Sequence, residues 1–168
     1  MKILAIDPGY DRLGIAILEK KSGKEILLHS ECFSPEKNKA EEKRIFLIGE
    51  KIGEIIKKYK PEALALESLF FNKNQKTALL VAETRGVIIY EASKAGLSLG
   101  QFTPLQVKIA ITGYGRSEKK QVGEMVKKLI KIEKEEKILD DEYDAIAIGL
   151  TYFASVKSWN PGLNLSKL

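Results

Sequence analysis

The chain has 168 residues, 44% of them hydrophobic, and carries a formal charge of +5 from 28 Lys and Arg against 23 Asp and Glu. That size and composition fit one domain with a genuine core, and no apolar run approaches the roughly 20 residues of a membrane-spanning helix. A lone cysteine, Cys32, excludes an intrachain disulfide, and the short apolar N-terminal stretch ends at Asp7 rather than reading as a secretory signal, so a soluble cytoplasmic protein is expected.

Residues 2–6 read as a buried strand running into the turn sequence Asp7-Pro8-Gly9. Residues 13–19 form a second strand, Lys20–Lys24 a hairpin loop, and the alternating segment 25–33 a third, together an antiparallel meander. From about residue 38, Ile45, Ile48, Ile52, Ile55, Ile56 and Tyr59 recur at helical spacing, and Pro61 ends the segment. Residues 62–66 make a short buried strand closed by Glu67.

A second helix is predicted over 74–94. Its latter half, Val87-Ile-Ile-Tyr90, is apolar nearly all round, which implies that both faces are covered, one of them by a partner subunit. A short strand near 97–102 precedes Thr103-Pro104-Leu105-Gln106, which combines an N-cap, Pro at N1 and Gln at N3. Gly113-Tyr-Gly115 breaks that helix, and Ser117 restarts it with Val122, Met125, Val126, Leu129 and Ile130 on one face. The charged segment 131–139 reads as a loop, and the last helix covers 141–157 ahead of a polar tail, 158–168, expected to fray. The order β-β-β-α-β-α-β-α-α-α describes an α/β fold: a five-stranded mixed sheet with helices on its faces, in one domain over 1–157.

Four acidic residues stand where buried runs begin or end. Asp7 closes the first strand, Glu67 closes Ala63-Leu-Ala-Leu66, and Asp141 and Asp144 precede Ala145-Ile-Ala-Ile-Gly-Leu150. An isolated ionised carboxylate among apolar groups is costly, so such residues are paired or bind metal. Locally, Asp7 also fits a turn starter, and Asp141 with Asp144 fits an N-cap and its dipole partner. A glutamate directly after Ala-Leu-Ala-Leu is harder to dismiss. Parallel pairing of the first and fourth strands brings Asp7 and Glu67 to one sheet edge, where the first turn of the last helix can join them. An all-oxygen set suits Mg²⁺ or Mn²⁺, and one histidine with one cysteine makes a zinc site implausible. Composition and spacing thus reach an acidic metal site with phosphoryl chemistry. The basic surplus permits a polyanionic partner, although Lys- and Glu-rich composition also marks thermophiles.

Ile6-Asp-Pro-Gly9 with Gly14, Leu66-Glu-Ser-Leu-Phe-Phe71, Gln106-Val-Lys108, Gly113-Tyr-Gly-Arg-Ser-Glu-Lys119 and Asp141-Glu-Tyr-Asp-Ala-Ile-Ala147 together resemble the RuvC family of bacterial Holliday junction resolvases. The motifs occur in family order and span nearly the whole chain to about residue 156. The resemblance implies a ribonuclease H-like fold. It also implies a homodimeric endonuclease that makes paired, symmetric nicks in four-way DNA junctions during recombination and repair. Asp7, Glu67, Asp141 and Asp144 match the acids that bind catalytic Mg²⁺, two ions per subunit with Mn²⁺ as a substitute. Lys108 and Lys119 match lysines near the scissile phosphate, and Phe70 matches an aromatic that wedges into the junction, with Phe71 beside it reading as a packing residue. The family interval of three selects Asp141 over Asp140 as the first ligand of the last motif. Lys73, Lys76, Arg85, Arg116 and Lys120 are expected to track phosphates. RuvA and RuvB are the branch-migration partners that the resemblance implies. A ribonuclease H-like nuclease with another substrate, an actin-like ATPase lobe (for Asp7-Pro-Gly with Gly14) and a non-catalytic junction-binding module are the competing readings.

Overall fold

In the computed structural model, which describes residues 1–68, 75–133 and 137–158, the apolar run Lys2–Asp7 is the central strand, β1. It pairs antiparallel with β2 (Leu13–Lys21), and β2 pairs antiparallel with β3 (Lys24–Phe33). Ser22 and Gly23, with φ of 51° and 80°, join those two strands. Positive φ at both central residues is what a tight hairpin turn between right-twisted strands requires, so the expected five-residue loop contracts to two. The helix α1 (Glu41–Tyr59) returns the chain to β4 (Ala63–Glu67), which pairs parallel with β1. Next come α2 (Gln75–Lys94) and β5 (Ser98–Phe102), the latter parallel to β4, which completes the sheet order β3-β2-β1-β4-β5. The chain ends in α3 (Pro104–Thr112), α4 (Lys119–Leu129) and α5 (Asp140–Ser158). The expected tail beyond residue 158 lies outside the described residues. Among the described residues no helix is long and apolar enough to cross a membrane.

Strand alternation divides the core between the two faces of the sheet. Leu4, Ile6, Leu64 and Leu66 pack with Ile48, Ile52 and Ile55 of α1 and Ile88 of α2. His29 stacks on Tyr59 of α1 with ring centroids 5.3 Å apart, a packing role. On the other face Ile3, Ala5, Ala16, Ala63 and Ala65 meet α3, α4 and α5. Alanines dominate that face of the central strands, so α5 settles close to the sheet, and a Cβ on its Gly149 would crowd Leu18 and Ala5. Asp7 continues the Ile3–Ala5 series and Glu67 the Ala63–Ala65 series. Both carboxylates therefore point to the α5 face.

Two local features aim the helices. Thr103 caps α3 by accepting from the Gln106 N–H while Gln106 returns the bond, and Gly113 closes the helix with φ of 76°. For α4 the cap is Glu118 with Gln121, not Ser117. The Ser117 hydroxyl is buried and lies 2.7 Å from the Thr112 hydroxyl, where it holds the turn between the two helices. At the start of α5, a Cβ on Gly14 would overlap the Asp141 carbonyl oxygen. Backbone cannot yield as a flexible side chain does. Gly14→Ala is expected to destabilise the protein by about 1–3 kcal/mol, read as a fall in denaturation midpoint, because α5 must lift from β2.

Candidate active site

The register Ile6↔Leu66 between parallel strands sets Asp7 and Glu67 side by side at the C-terminal edge of the sheet. The two carboxyls are close enough for each to shift the other's titration. Burial, followed by the charges of Glu67 and Asp144, lifts Asp7 from its ordinary value of 3.8 to about 8. Burial likewise raises Glu67 and Asp144. Asp144 is held by Lys119, with Nζ 2.5 Å from Oδ2. For Lys119, burial pulls the pKa down, but the hydrogen bond and charge of Asp144 outweigh it and the ammonium is stabilised.

Asp7, Glu67, Asp144, Lys108 and Lys119 line one cleft of about 200 Å³, with Pro104, Val107, Val122 and Ile148 as its apolar wall. Asp141 stands to the side of this group. Its Oδ2 lies 3.1 Å from Arg12 Nη2 and 3.7 Å from Cys32 Sγ, although its charge still reaches Asp7. Asp140 is the first residue of α5 and lines a neighbouring groove with Lys119, Lys120 and Lys127. A cleft of about 770 Å³ along β3 is roomier, but none of these acids lines it. The chemistry, not the size, picks out the smaller one.

The donor set fits a hard divalent cation. Three half-buried carboxylates converge with a fourth nearby, and their raised pKa values report a field that a positive charge would relieve. Among the described residues they do not form a ready-made ligand cluster. Asp144 and Asp141 are instead drawn toward Lys119 and Arg12.

The expected basic residues divide. Arg116 and Lys120 are exposed, and Lys120 lines the groove next to the cleft. Arg85 departs from the expectation of a phosphate-tracking surface residue: it is 7% exposed, donates to the Glu67 carbonyl, and reaches Gln101 Oε1 at 2.7 Å. A guanidinium buried against the end of β4 positions Glu67. Phe70, Phe71 and Lys73 and the side chain of Lys76 lie outside the described residues.

Other supporting residues lack a linear signal. Arg44 is buried, donates to the Tyr10 carbonyl at 3.1 Å and to Asp11 Oδ1 at 2.7 Å, and stacks on the Tyr10 ring. It fixes the loop that follows Asp7. Glu142 is buried and accepts from Ser30 Oγ at 2.7 Å and from the Leu139 N–H at 3.1 Å. It anchors the start of α5 to β3. Cys32 is pushed up to about 11 by burial and then by Asp141, so its thiol stays protonated.

The Asp7 shift has a measurable sign. A carboxyl whose pKa is raised by folding stabilises the native state fully below its unfolded value, and that contribution is lost as pH rises through its folded value. Chelator-treated protein is therefore expected to lose thermal stability from about pH 5 to about pH 8, and Asp7→Asn to flatten that dependence. Superimposable melting-temperature profiles for the two proteins would contradict the Asp7 assignment.

Comparison with known proteins identifies the family and the fold. The family model for crossover junction endodeoxyribonuclease RuvC matches residues 3–152. Relatives of that name from Thermosipho melanesiensis and Fusobacterium nucleatum are 47% and 39% identical, over 88% and 94% of this chain and 94% and 83% of theirs. Thermus thermophilus RuvC superimposes with a TM-score of 0.83 at 30% identity, and its complex with a Holliday junction substrate with 0.86 at 29%. Both comparisons cover 94% of this chain and 96% of the other. A yeast mitochondrial Holliday junction resolvase shares the fold, with a TM-score of 0.68 at 17% identity over 94% of this chain and 80% of that one. With both sequence and fold matched over nearly its whole length, the chain belongs to the crossover junction endodeoxyribonuclease RuvC family.

Proposed function

We propose that this protein resolves Holliday junctions by hydrolysing phosphodiesters at the carboxylate cleft. The observation that carries the reading is the convergence of Asp7, Glu67 and Asp144 with Lys108 and Lys119 in one cleft. Asp7, Glu67, Asp141 and Asp144 would hold divalent cations, two Mg²⁺ per subunit with Mn²⁺ as a substitute. Bound there, such cations lower the pKa of water and offset charge on the leaving oxygen. Lys119 sits at the first turn of α4, reaching over Asp144, where it can meet charge developing on the phosphate. Lys108 projects from α3 into the same cleft. Arg85 and Glu142 hold Glu67 and α5 in place, so the acids need not reorganise during reaction. Phe70 is assigned to base stacking, and Lys73, Lys76, Arg116 and Lys120 to the DNA backbone. The products would be 5′-phosphate and 3′-hydroxyl ends. A cytoplasmic enzyme working with RuvA and RuvB is the corresponding setting.

A four-way junction has two-fold symmetry, and a two-fold dimer matches it. Leu79, Gly86 and Tyr90 form an exposed stripe along α2, opposite buried Ile88, with Leu79 62% and Tyr90 63% exposed. A Cβ on Gly86 would meet nothing, so a symmetry-related helix can approach closely there. Leu79→Glu combined with Tyr90→Glu is expected to shift the protein to monomer in sedimentation velocity and to uncouple the paired nicks. A double mutant that sediments as wild type would place the dimer contact elsewhere.

The decisive assay is Mg²⁺-dependent nicking of a synthetic four-way junction beside plain duplex and RNA–DNA hybrid. Symmetric nicks confined to the junction are expected. Equal cutting of the hybrid would instead favour a ribonuclease H-like nuclease of different substrate.

A further inference from the structure

We propose that Arg12 and a divalent cation compete for Asp141, and that the displaced Arg12 guanidinium binds a phosphate of the DNA on the Asp141 side of the cleft. The proposal rests on the metal-dependent DNA-cutting reading above.

Arg12 has a fixed root and a mobile head. Its loop, between β1 and β2, is held from several sides. Arg44 donates to the Tyr10 carbonyl at 3.1 Å and to the Asp11 carboxylate at 2.7 Å. Ser34 Oγ donates to the Asp11 carbonyl at 2.9 Å, and Gly9 packs so tightly under Arg12 that a Cβ there would overlap the Arg12 carbonyl oxygen. Gly14, two residues on, touches the Asp141 backbone. The Arg12 Cα is thus pinned at the rim of the site, while its side chain is 54% exposed.

The side chain reaches Asp141 Oδ2 at 3.1 Å and gains little there. The Arg12 side of the pair is 54% exposed although Asp141 is only 17% exposed, so water and salt screen the guanidinium, and ordering its long side chain costs entropy. A divalent cation at the same carboxylate carries twice the charge and wins the competition. The guanidinium stays rooted in the β1–β2 loop, on the β2 side of Asp7, whereas Lys108 and Lys119 come from α3 and α4, which follow β5 on the other side of the sheet order. A planar fork of donors suits phosphate oxygens, and a nuclease needs the backbone gripped on both sides of the scissile bond. The exchange couples the two ligands: cation binding frees the residue that strengthens DNA binding.

The test uses Arg12→Gln in the full chain after chelator treatment, with Arg12→Lys as a charge-retaining control. Calorimetric Mn²⁺ titration without DNA is expected to show Arg12→Gln binding at least about two- to five-fold more tightly than wild type, the range for a solvent-screened pair and a lower bound where one partner is largely buried. Junction affinity is then measured across a salt series in Ca²⁺ and in EDTA. In Ca²⁺ the log–log salt slope of Arg12→Gln should be shallower by about one, the signature of one lost phosphate contact, with no change in EDTA. Arg12→Lys should keep the wild-type slope. Unchanged or weaker Mn²⁺ binding by Arg12→Gln overturns the competition. An unchanged slope in Ca²⁺, or an equal change in both conditions, overturns the phosphate role. Failure of wild type to nick the junction in Mg²⁺ would overturn the resolvase reading instead, and the Mn²⁺ titration would still judge the competition at Asp141.

Discussion

Asp7→Asn is expected to lower Mg²⁺-dependent nicking of a four-way junction on the order of 10³-fold, with junction affinity in Ca²⁺ nearly unchanged. Asparagine has the size of a protonated aspartate, and burial with the neighbouring carboxylates already lifts Asp7 to about 8. The substitution therefore leaves the packing at the end of β1 intact and removes an ionisable ligand oxygen. Initial nicking rates, read beside a melting curve, separate loss of chemistry from loss of fold. A mutant that nicks at the wild-type rate would remove Asp7 from the reaction.

The second large effect is expected at Lys119. Lys119→Ala should reduce the nicking rate roughly 10²–10³-fold, the usual consequence of deleting one preorganised charge beside the reacting group. The side chain is 60% exposed, so the fold should tolerate its removal. Asp144 loses the ammonium 2.5 Å from its Oδ2 and should take up a proton more readily, moving the acid limb of the pH–rate profile upward. Lys119→Arg should recover part of the rate. A uniform loss of junction affinity with kcat intact would recast Lys119 as a binding residue.

Lys119 shows what the sequence does not disclose without a relative: apart from the family motif it reads as a solvated lysine at the start of a helix, and only its ion pair with Asp144 ties it to the site. Asp7 and Glu67 were legible from the residues themselves, as charges ending apolar runs, and strand alternation from Ala5 and Ala65 settles which face they take. The break at Gly113 and the capping box at Thr103 follow from local chemistry alone. Arg85, Arg44 and Glu142 were not legible. A charged residue in a helix reads as surface until its neighbours are known, and Arg85 is buried only because β4 and β5 present the Glu67 carbonyl and Gln101 to it. Ser117, read as the restart of the helix, lies just before it for a related reason. Its hydroxyl has a tertiary partner in Thr112, which leaves the helix end to Glu118.

The pairing of Ile6 with Leu66 sets where the chain tolerates changes in length. Between Asp7 and Ala63 the chain forms β2, β3 and α1 and re-enters the sheet at the edge opposite Asp7, where β4 begins. Extra residues at the Ser22–Gly23 tip lengthen that connection without moving either carboxylate. Within β4 the opposite holds. One inserted residue ahead of Glu67 would turn its carboxylate to the face occupied by Ile55 and Ile88, and two would restore the face but overshoot the edge by about 7 Å. Insertions and deletions should therefore accumulate at the hairpin tip, while the five residues of β4 keep a fixed count.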